Sequence, residues 1–179
     1  MRIDGPSGPL EVTDLATPGA PAFVALGGTA RWAPTFETLA RRWRCVAFDG
    51  GTDVGDLEAV LDHVGPGKVV LGAEGDGAQA AIAAVLAHQH RIDALVLVDA
   101  ELDPASPDLA TLHLPTLVLH GQDDPEIPVA RAQQVADAIR GSELVLVAGG
   151  GHEPTVAKPH LLVDLVDTWA RRRLDWDLA

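Results

Sequence analysis

The side chains of this chain best placed to do chemistry are an aspartate and a histidine that follow two consecutive apolar runs. Pro115 to Leu119 (PTLVL) leads into His120-Gly121-Gln122-Asp123-Asp124-Pro125-Glu126-Ile127-Pro128, and Leu144 to Val147 leads into Ala148-Gly149-Gly150-Gly151-His152-Glu153-Pro154. A carboxylate beyond one strand and a histidine beyond the next can meet across a sheet edge. There the carboxylate fixes the imidazole tautomer and stabilises its protonated form. Alone, Asp124 reads as a cap for the helix after Pro128, and His152 as an exposed loop histidine; their order along the chain favours a working pair. Upstream, Lys68 to Ala81 (KVVLGAEGDGAQAA) passes from an apolar strand through a glycine-dense turn into an alanine-rich helix, the context of a nucleophile elbow. That motif, G-x-S-x-G, carries a serine. Here the turn reads Ala73-Glu74-Gly75-Asp76-Gly77, and the three serines of the chain, Ser7, Ser106 and Ser142, all lie elsewhere.

The elements that must position these residues follow from hydrophobic spacing. Residues 1 to 21 are rich in Gly and Pro, with at most a short strand near Leu10 to Thr13. Phe23 to Leu26 predicts a buried strand ending in Gly27-Gly28-Thr29. Trp32, Phe36, Leu39, Ala40 and Trp43 recur at helical spacing. Cys45 to Phe48 predicts a strand closed by Asp49-Gly50-Gly51, and Leu57, Val60, Leu61 and Val64 a helix stopped at Gly65-Pro66-Gly67. After the elbow helix, Ala94 to Val98 (ALVLV) is a further strand. Val129, Ala132, Val135, Ala136 and Ile139 line a helix stopped at Gly141, and Leu162, Leu165, Val166 and Trp169 mark a closing helix with Pro159 in its first turn. Short all-apolar strands alternating with amphipathic helices indicate a mostly parallel, twisted sheet of about six to seven strands, with helices on both faces. No linker divides the chain, so residues 1–179 read as one α/β domain.

Composition narrows the function classes. The 179 residues carry a formal net charge of −13, with 47% hydrophobic and 22% charged residues. Such a charge repels nucleic acid and anionic membranes, and its plain meaning is solubility. A single cysteine, Cys45, excludes an internal disulfide and a multi-cysteine metal site, and it reads as a packed thiol. No apolar run approaches the roughly 20 residues of a membrane span. The start, MRIDGPSGPL, has no apolar core of a signal peptide, so a cytoplasmic location is expected. His63, His88, His90, His113 and His160 lack metal-ligand spacing and read as surface residues. No metal or other cofactor is expected, and the glycine runs have the wrong spacing for a dinucleotide site.

In its ordered motifs the chain resembles the α/β-hydrolase superfamily over nearly its whole length. Phe23 to Thr29 (FVALGGT) is similar to the strand and oxyanion loop of that family, with Leu26 where a histidine usually stands and Gly27 and Gly28 keeping the backbone freedom of the loop. Val46 to Gly50 (VAFDG) is similar to the family strand ending in Asp. GQDDPEIP resembles the G-x-x-D-x-x-x-P acid loop, which implies Asp124 as the acid, and GGGHEP resembles the histidine loop, which implies His152. Two registers fit the elbow. One puts Glu74 at the nucleophile position. The other matches the family spacing through LVLVD at 95 to 99 and puts Gly75 there, Glu74 before it and Asp76 after it; this one is preferred.

The resemblance implies a minimal α/β-hydrolase domain without a cap, because Ala100 to Leu114 has room for one short helix at best. The pocket is then open and shallow, unless a partner subunit covers it, as in a homodimer. Glu74 reads equally as an acid or base in the site or as a solvated side chain, and Asp76 rather as a helix cap. Thr29 and Trp32 are candidates to line the pocket, although the helical spacing of Trp32 with Phe36 points as much to the core. The expected function is a non-covalent enzyme, of lyase, cyclase, isomerase or dehydratase type, with a His152–Asp124 general base on a small organic substrate, Glu74 as acid, and Gly27/Gly28 amides facing a developing oxyanion. The alternatives are an inactive pseudo-hydrolase that binds a ligand or a protein, and an unusual hydrolase with Glu74 as carboxylate nucleophile.

Overall fold

Alternation along the strands divides the core into two layers. The computed structural model describes residues 1–49, 53–174 and 176. In β3 (Ala22–Leu26), Ala22, Val24 and Leu26 enter one layer, and Phe23 and Ala25 the other. In β5 (Val69–Glu74), Val69, Leu71 and Ala73 join the first layer and Val70 the second. Helices α2 (Val54–Val64), α3 (Gly77–His88) and α5 (Val129–Ala138) cover the first layer through Leu57, Leu61, Ile82, Val85 and Val135. Helices α1 (Thr29–Leu39) and α7 (Pro159–Arg173) cover the second through Trp32, Phe36, Leu162 and Trp169. This is the two-period pattern of a sheet buried on both faces.

Among the described residues eight strands join one sheet, in the order β1-β2-β4-β3-β5-β6-β7-β8. The strands β3 to β8 run parallel, including β4 (Arg44–Asp49), β6 (Ala94–Val98), β7 (Thr116–Gly121) and β8 (Glu143–Val147). The chain lays β4 on one side of β3 and then returns to lay β5 on the other. The order therefore reverses between β3 and β5, and this switch point, the place where parallel sheets of this kind bind ligands, lies at their carboxyl ends, Leu26 and Glu74.

The strand count exceeds the expected six to seven because the Gly/Pro-rich start forms a hairpin. β1 (Arg2–Gly5) and β2 (Gly8–Leu15) pair antiparallel, and β2 pairs antiparallel with β4. Leu10 and Val12 face the core while Pro9, Glu11 and Thr13 face out, a period-two alternation that the turn-forming residues around it obscured. Gly50 and Gly51, read as the turn after Asp49, lie outside the described residues. The connection from β6 to β7 holds one helix, α4 (Pro107–Ala110), and no cap. Cys45 is fully buried, and burial pushes its thiol pKa up, in line with a packed thiol. Among the described residues no helix is long and apolar enough to cross a membrane.

Candidate functional site

Asp124 and His152 meet because the loops that carry them touch backbone to backbone. A Cβ on Gly121, the last residue of β7, would lie 1.8 Å from the carbonyl oxygen of Gly151, so a larger residue would drive the loops apart. His152 Nδ1 lies 3.0 Å from Asp124 Oδ2. The other oxygen, Oδ1, accepts from the amides of Glu126 (2.7 Å) and Ile127 (3.1 Å). Burial pushes the Asp124 carboxyl up, but the Glu126 amide, His152 and the Ile127 amide together outweigh it and hold its pKa below the ordinary value. The bond to Asp124 raises the pKa of His152 against an opposing cost of burial. The ring's Nε2 lies 3.8 Å from Glu126, beyond hydrogen-bond reach. An open depression of about 500 Å³ surrounds the ring, lined by Glu126, Gly150, Glu153 and Val156.

A second aspartate–histidine pair, missed in the sequence, lies beneath the first. His120 Nδ1 is 2.6 Å from Asp99 Oδ1, both side chains being buried. Nε2 of His120 is 2.9 Å from the carbonyl of Ile127; a carbonyl cannot donate, so Nε2 carries a proton. Burial lowers the pKa of His120, but the Asp99 contact and the Ile127 bond raise it further than that, so it lies above the ordinary histidine value. Asp99 Oδ1 also accepts from the Gly121 amide at 2.8 Å. The pair thus grips both sides of the acid loop, through Gly121 before Asp124 and Ile127 after it. The readable signal was position: Asp99 directly follows β6 and His120 is the penultimate residue of β7, at the edge where ligands bind. Asp99, His120 and Asp124 bring candidate metal-ligand atoms within 4.8 Å of one another. Their atoms face each other, His152 and loop amides, although Asp99 Oδ2 has no hydrogen-bond partner among the described residues.

At the elbow, Gly75 has φ +59, a left-handed conformation that glycine adopts without the strain other residues meet. Its amide bonds the Val98 carbonyl at 3.0 Å, and its own carbonyl accepts from Glu101 at 3.1 Å, so the sharp turn is tied to the end of β6. Asp76 is exposed and already has helical φ and ψ of −67° and −23°. Its side chain makes no capping bond, contrary to expectation, because a side-chain cap needs an extended backbone at that residue. Glu74 is not solvated. Period-two alternation sends it to the same face as Val70, under α1 and α6 (Pro154–Ala157), where it is 1% exposed. Its Oε2 accepts from Thr155 Oγ at 2.7 Å, and Oε1 has no partner among the described residues. Burial raises the Glu74 pKa to about 7, against the opposing pull of Thr155 and Arg31.

Gly27 and Gly28, with φ +102 and +101, lead from β3 into α1. A Cβ on Gly77 would come within 3.3 Å of the Gly27 amide nitrogen, so α3 packs closely on this loop. The two pocket-lining candidates have partners within the fold. Trp32 is 1% exposed, stacks among Phe23 and Phe36 and donates to the Leu26 carbonyl at 2.9 Å; it is a core residue that anchors the strand end. Thr29 bonds Asp49 through both its amide and its hydroxyl, each at 2.7 Å, which caps α1 from β4. Of the other histidines, His63 joins Asp14 and Arg44, and His160 bonds Thr38. The serines are also occupied away from the elbow: Ser7 contacts Asp53 and Asp56, Ser142 bonds the Ala136 carbonyl, and Ser106 precedes α4.

Comparison with known proteins gives this arrangement its fold. The chain superposes on an esterase from Thermogutta terrifontis with a TM-score of 0.83 at 20% identity, covering 96% of this chain and 98% of that one. An esterase from a Rhodococcus species gives 0.84 at 17% identity, covering 97% and 98%. A meta-cleavage product hydrolase from Pseudomonas fluorescens gives 0.82 at 15% identity, covering 96% and 97%. In sequence, the abhydrolase family of TAP-like proteins matches residues 103–169, a segment that includes Asp124 and His152 but not the elbow. A protein of Pseudomonas syringae assigned as the carbamate hydrolase RutD is 33% identical over 69 residues, 38% of this chain and 25% of that protein's length. The fold is the α/β-hydrolase fold, without a cap between β6 and β7.

Proposed function

We propose that this α/β-hydrolase-fold chain is a non-covalent enzyme in which His152, oriented by Asp124, takes a proton from a small organic substrate. The observation that carries this reading is the 3.0 Å contact between His152 Nδ1 and Asp124, on loops at the sheet edge where Gly75 makes the sharp turn after β5. With Nδ1–H committed to Asp124, the lone pair of Nε2 is the base, and the raised pKa keeps the imidazolium stable once formed. Gly75 offers no nucleophilic atom, so an acyl-enzyme at the elbow is not part of this reading. Lyase, cyclisation, isomerisation or dehydration chemistry requires a base and a returning proton. The protonated His152 can itself return the proton; Glu74, raised to about 7 by burial, has the titration range of an acid but is buried against Thr155. A water deprotonated by His152 would instead give direct hydrolysis. Glu74 as a covalent nucleophile has the least support, since its carboxylate is buried against Thr155 and precedes the apex by one residue.

A ligand-binding pseudo-hydrolase is the second reading. It is favoured by Arg31, whose guanidinium borders the place where a nucleophile side chain would begin. The two readings separate in deuterium oxide. Small ketones and keto acids incubated with the wild type should exchange carbon-bound hydrogen, followed by proton NMR, and His152→Gln should abolish the exchange at unchanged melting temperature. Equal exchange by the variant would sink the general-base reading.

A further inference from the structure

Proton transfer at His152 assigns no step to the cation at the elbow, Arg31. Arg31 stands in the first turn of α1, with its side chain 34% exposed. Its Nε lies 3.7 Å from Glu153 Oε1 and 3.9 Å from Glu74 Oε2, both beyond hydrogen-bond length. Arg31 donates no hydrogen bond to any described residue. A guanidinium carries five donors in a planar fork; the two long ion pairs engage Arg31 on its Nε side without hydrogen bonds, which leaves the donors of the fork's Nη end for a partner. The end of the fork reaches the elbow: a Cβ on residue 75 would lie 3.2 Å from Arg31 Nη1. Gly27, Gly28 and Gly75 supply no side chains to block approach along this edge.

The geometry points to a binding site for a small carboxylate, or an equally planar oxyanion, whose two oxygens are gripped by the Arg31 fork beside Gly75. This deepens the general-base reading, on which it rests for the identity of the site, by naming the substrate class. A planar pair of oxygens matches the guanidinium fork; a neutral carbonyl uses half of it and gains no charge. The carboxylates nearby act against an anion and set the limit of affinity. Glu101 Oε1 lies 3.8 Å from the same Cβ point, and Glu153 and Glu74 flank Nε. They hold the guanidinium on its Nε side, however, which turns the Nη side towards the elbow. Direct bidentate contact is nearer to the positive charge than to any of these acids, and Coulomb energy falls with distance.

The test is a two-dimensional amide NMR titration of the full chain with benzoate and with its neutral isostere benzamide. Benzoate should move the Gly28, Gly75 and Asp76 amides and bind roughly tenfold tighter than benzamide or better. Arg31→Gln should lose at least that factor, and Arg31→Lys, which keeps the charge without the fork, should lose part of it. His152→Gln should bind benzoate as the wild type does. Benzamide binding as tightly as benzoate, or benzoate binding unchanged in Arg31→Gln, would overturn the proposal. So would loss of binding in His152→Gln, which would put the anion on the imidazolium. The wild-type comparison stands even if Arg31→Gln folds poorly. Benzoate binding without His152-dependent proton exchange would sink the base and leave the anion site standing; exchange without benzoate binding would do the reverse.

Discussion

Gly121 and Gly151 are in backbone contact: a Cβ on Gly121 would fall 1.8 Å from the Gly151 carbonyl oxygen. The acid and histidine loops are therefore held at a distance set by the absence of one methyl group. Gly121→Ala should cost about 3 kcal/mol in urea unfolding, in the upper range for forcing extra volume into a packed site. It should also lower the His152 pKa by moving Asp124 away. A stable variant with an unchanged His152 titration would show that the loops do not set this geometry.

Asp124→Asn tests the pair directly. The folded pKa of His152 is raised, so the pair's stabilisation is fully present below the ordinary histidine value and is lost as pH rises through the folded one. That of Asp124 is lowered, so its share is present above the ordinary carboxyl value and is lost as pH falls through the folded one. The stability penalty of Asp124→Asn should be largest between these limits, in mildly acidic solution, and shrink in alkali. NMR titration of the His152 ring should show its pKa falling in the variant.

Glu74 makes the opposite contribution. Its folded pKa is raised from 4.5 to about 7, so the folded chain keeps a proton that the unfolded chain releases across that window. Stability should fall as pH rises through it. The charges felt by this carboxyl are Arg31, which favours ionisation, and Asp99 and Glu153, which oppose it. Glu74→Gln should be roughly 1–3 kcal/mol more stable relative to wild type at pH 8 than at pH 5, by urea unfolding at both. An equal difference at the two values would refute the assignment.

Introducing a working serine at the elbow should need two changes. Gly75→Ser places a side chain 3.2 Å from Arg31 Nη1 at φ +59, a strain of about 1–2 kcal/mol for a residue with a Cβ. The single variant should show little turnover of p-nitrophenyl acetate. Gly75→Ser with Arg31→Ala should show His152-dependent turnover. Full activity in the single variant would mean that Arg31 leaves the elbow freely.

The layered α/β architecture was legible because all-apolar strands and helical spacing are local signals, and the Asp124 and His152 loops because they carry punctuation at strand ends. What was illegible depends on three-dimensional partners. Glu74 could be solvated or buried until the alternation of β5 was set against Thr155 and Arg31. Asp99 and His120 ended or interrupted apolar strands without any spacing that links them, and their pairing arises when β6 and β7 lie side by side. Trp32 served the core because Leu26 offers its carbonyl to the indole. Asp76 took helical torsions because Gly75 alone makes the turn.

The single turn of helix between β6 and β7 also sets a time scale. Among the described residues the β6–β7 connection has no long segment that must open or close before a ligand exchanges with bulk water. At a dissociation constant near 1 mM and an ordinary association rate, a bound ligand leaves on the order of a millisecond. On the general-base reading, proton transfer at His152 must compete with that escape, so such a site rewards reactive substrates at high concentration rather than rare ones held for long.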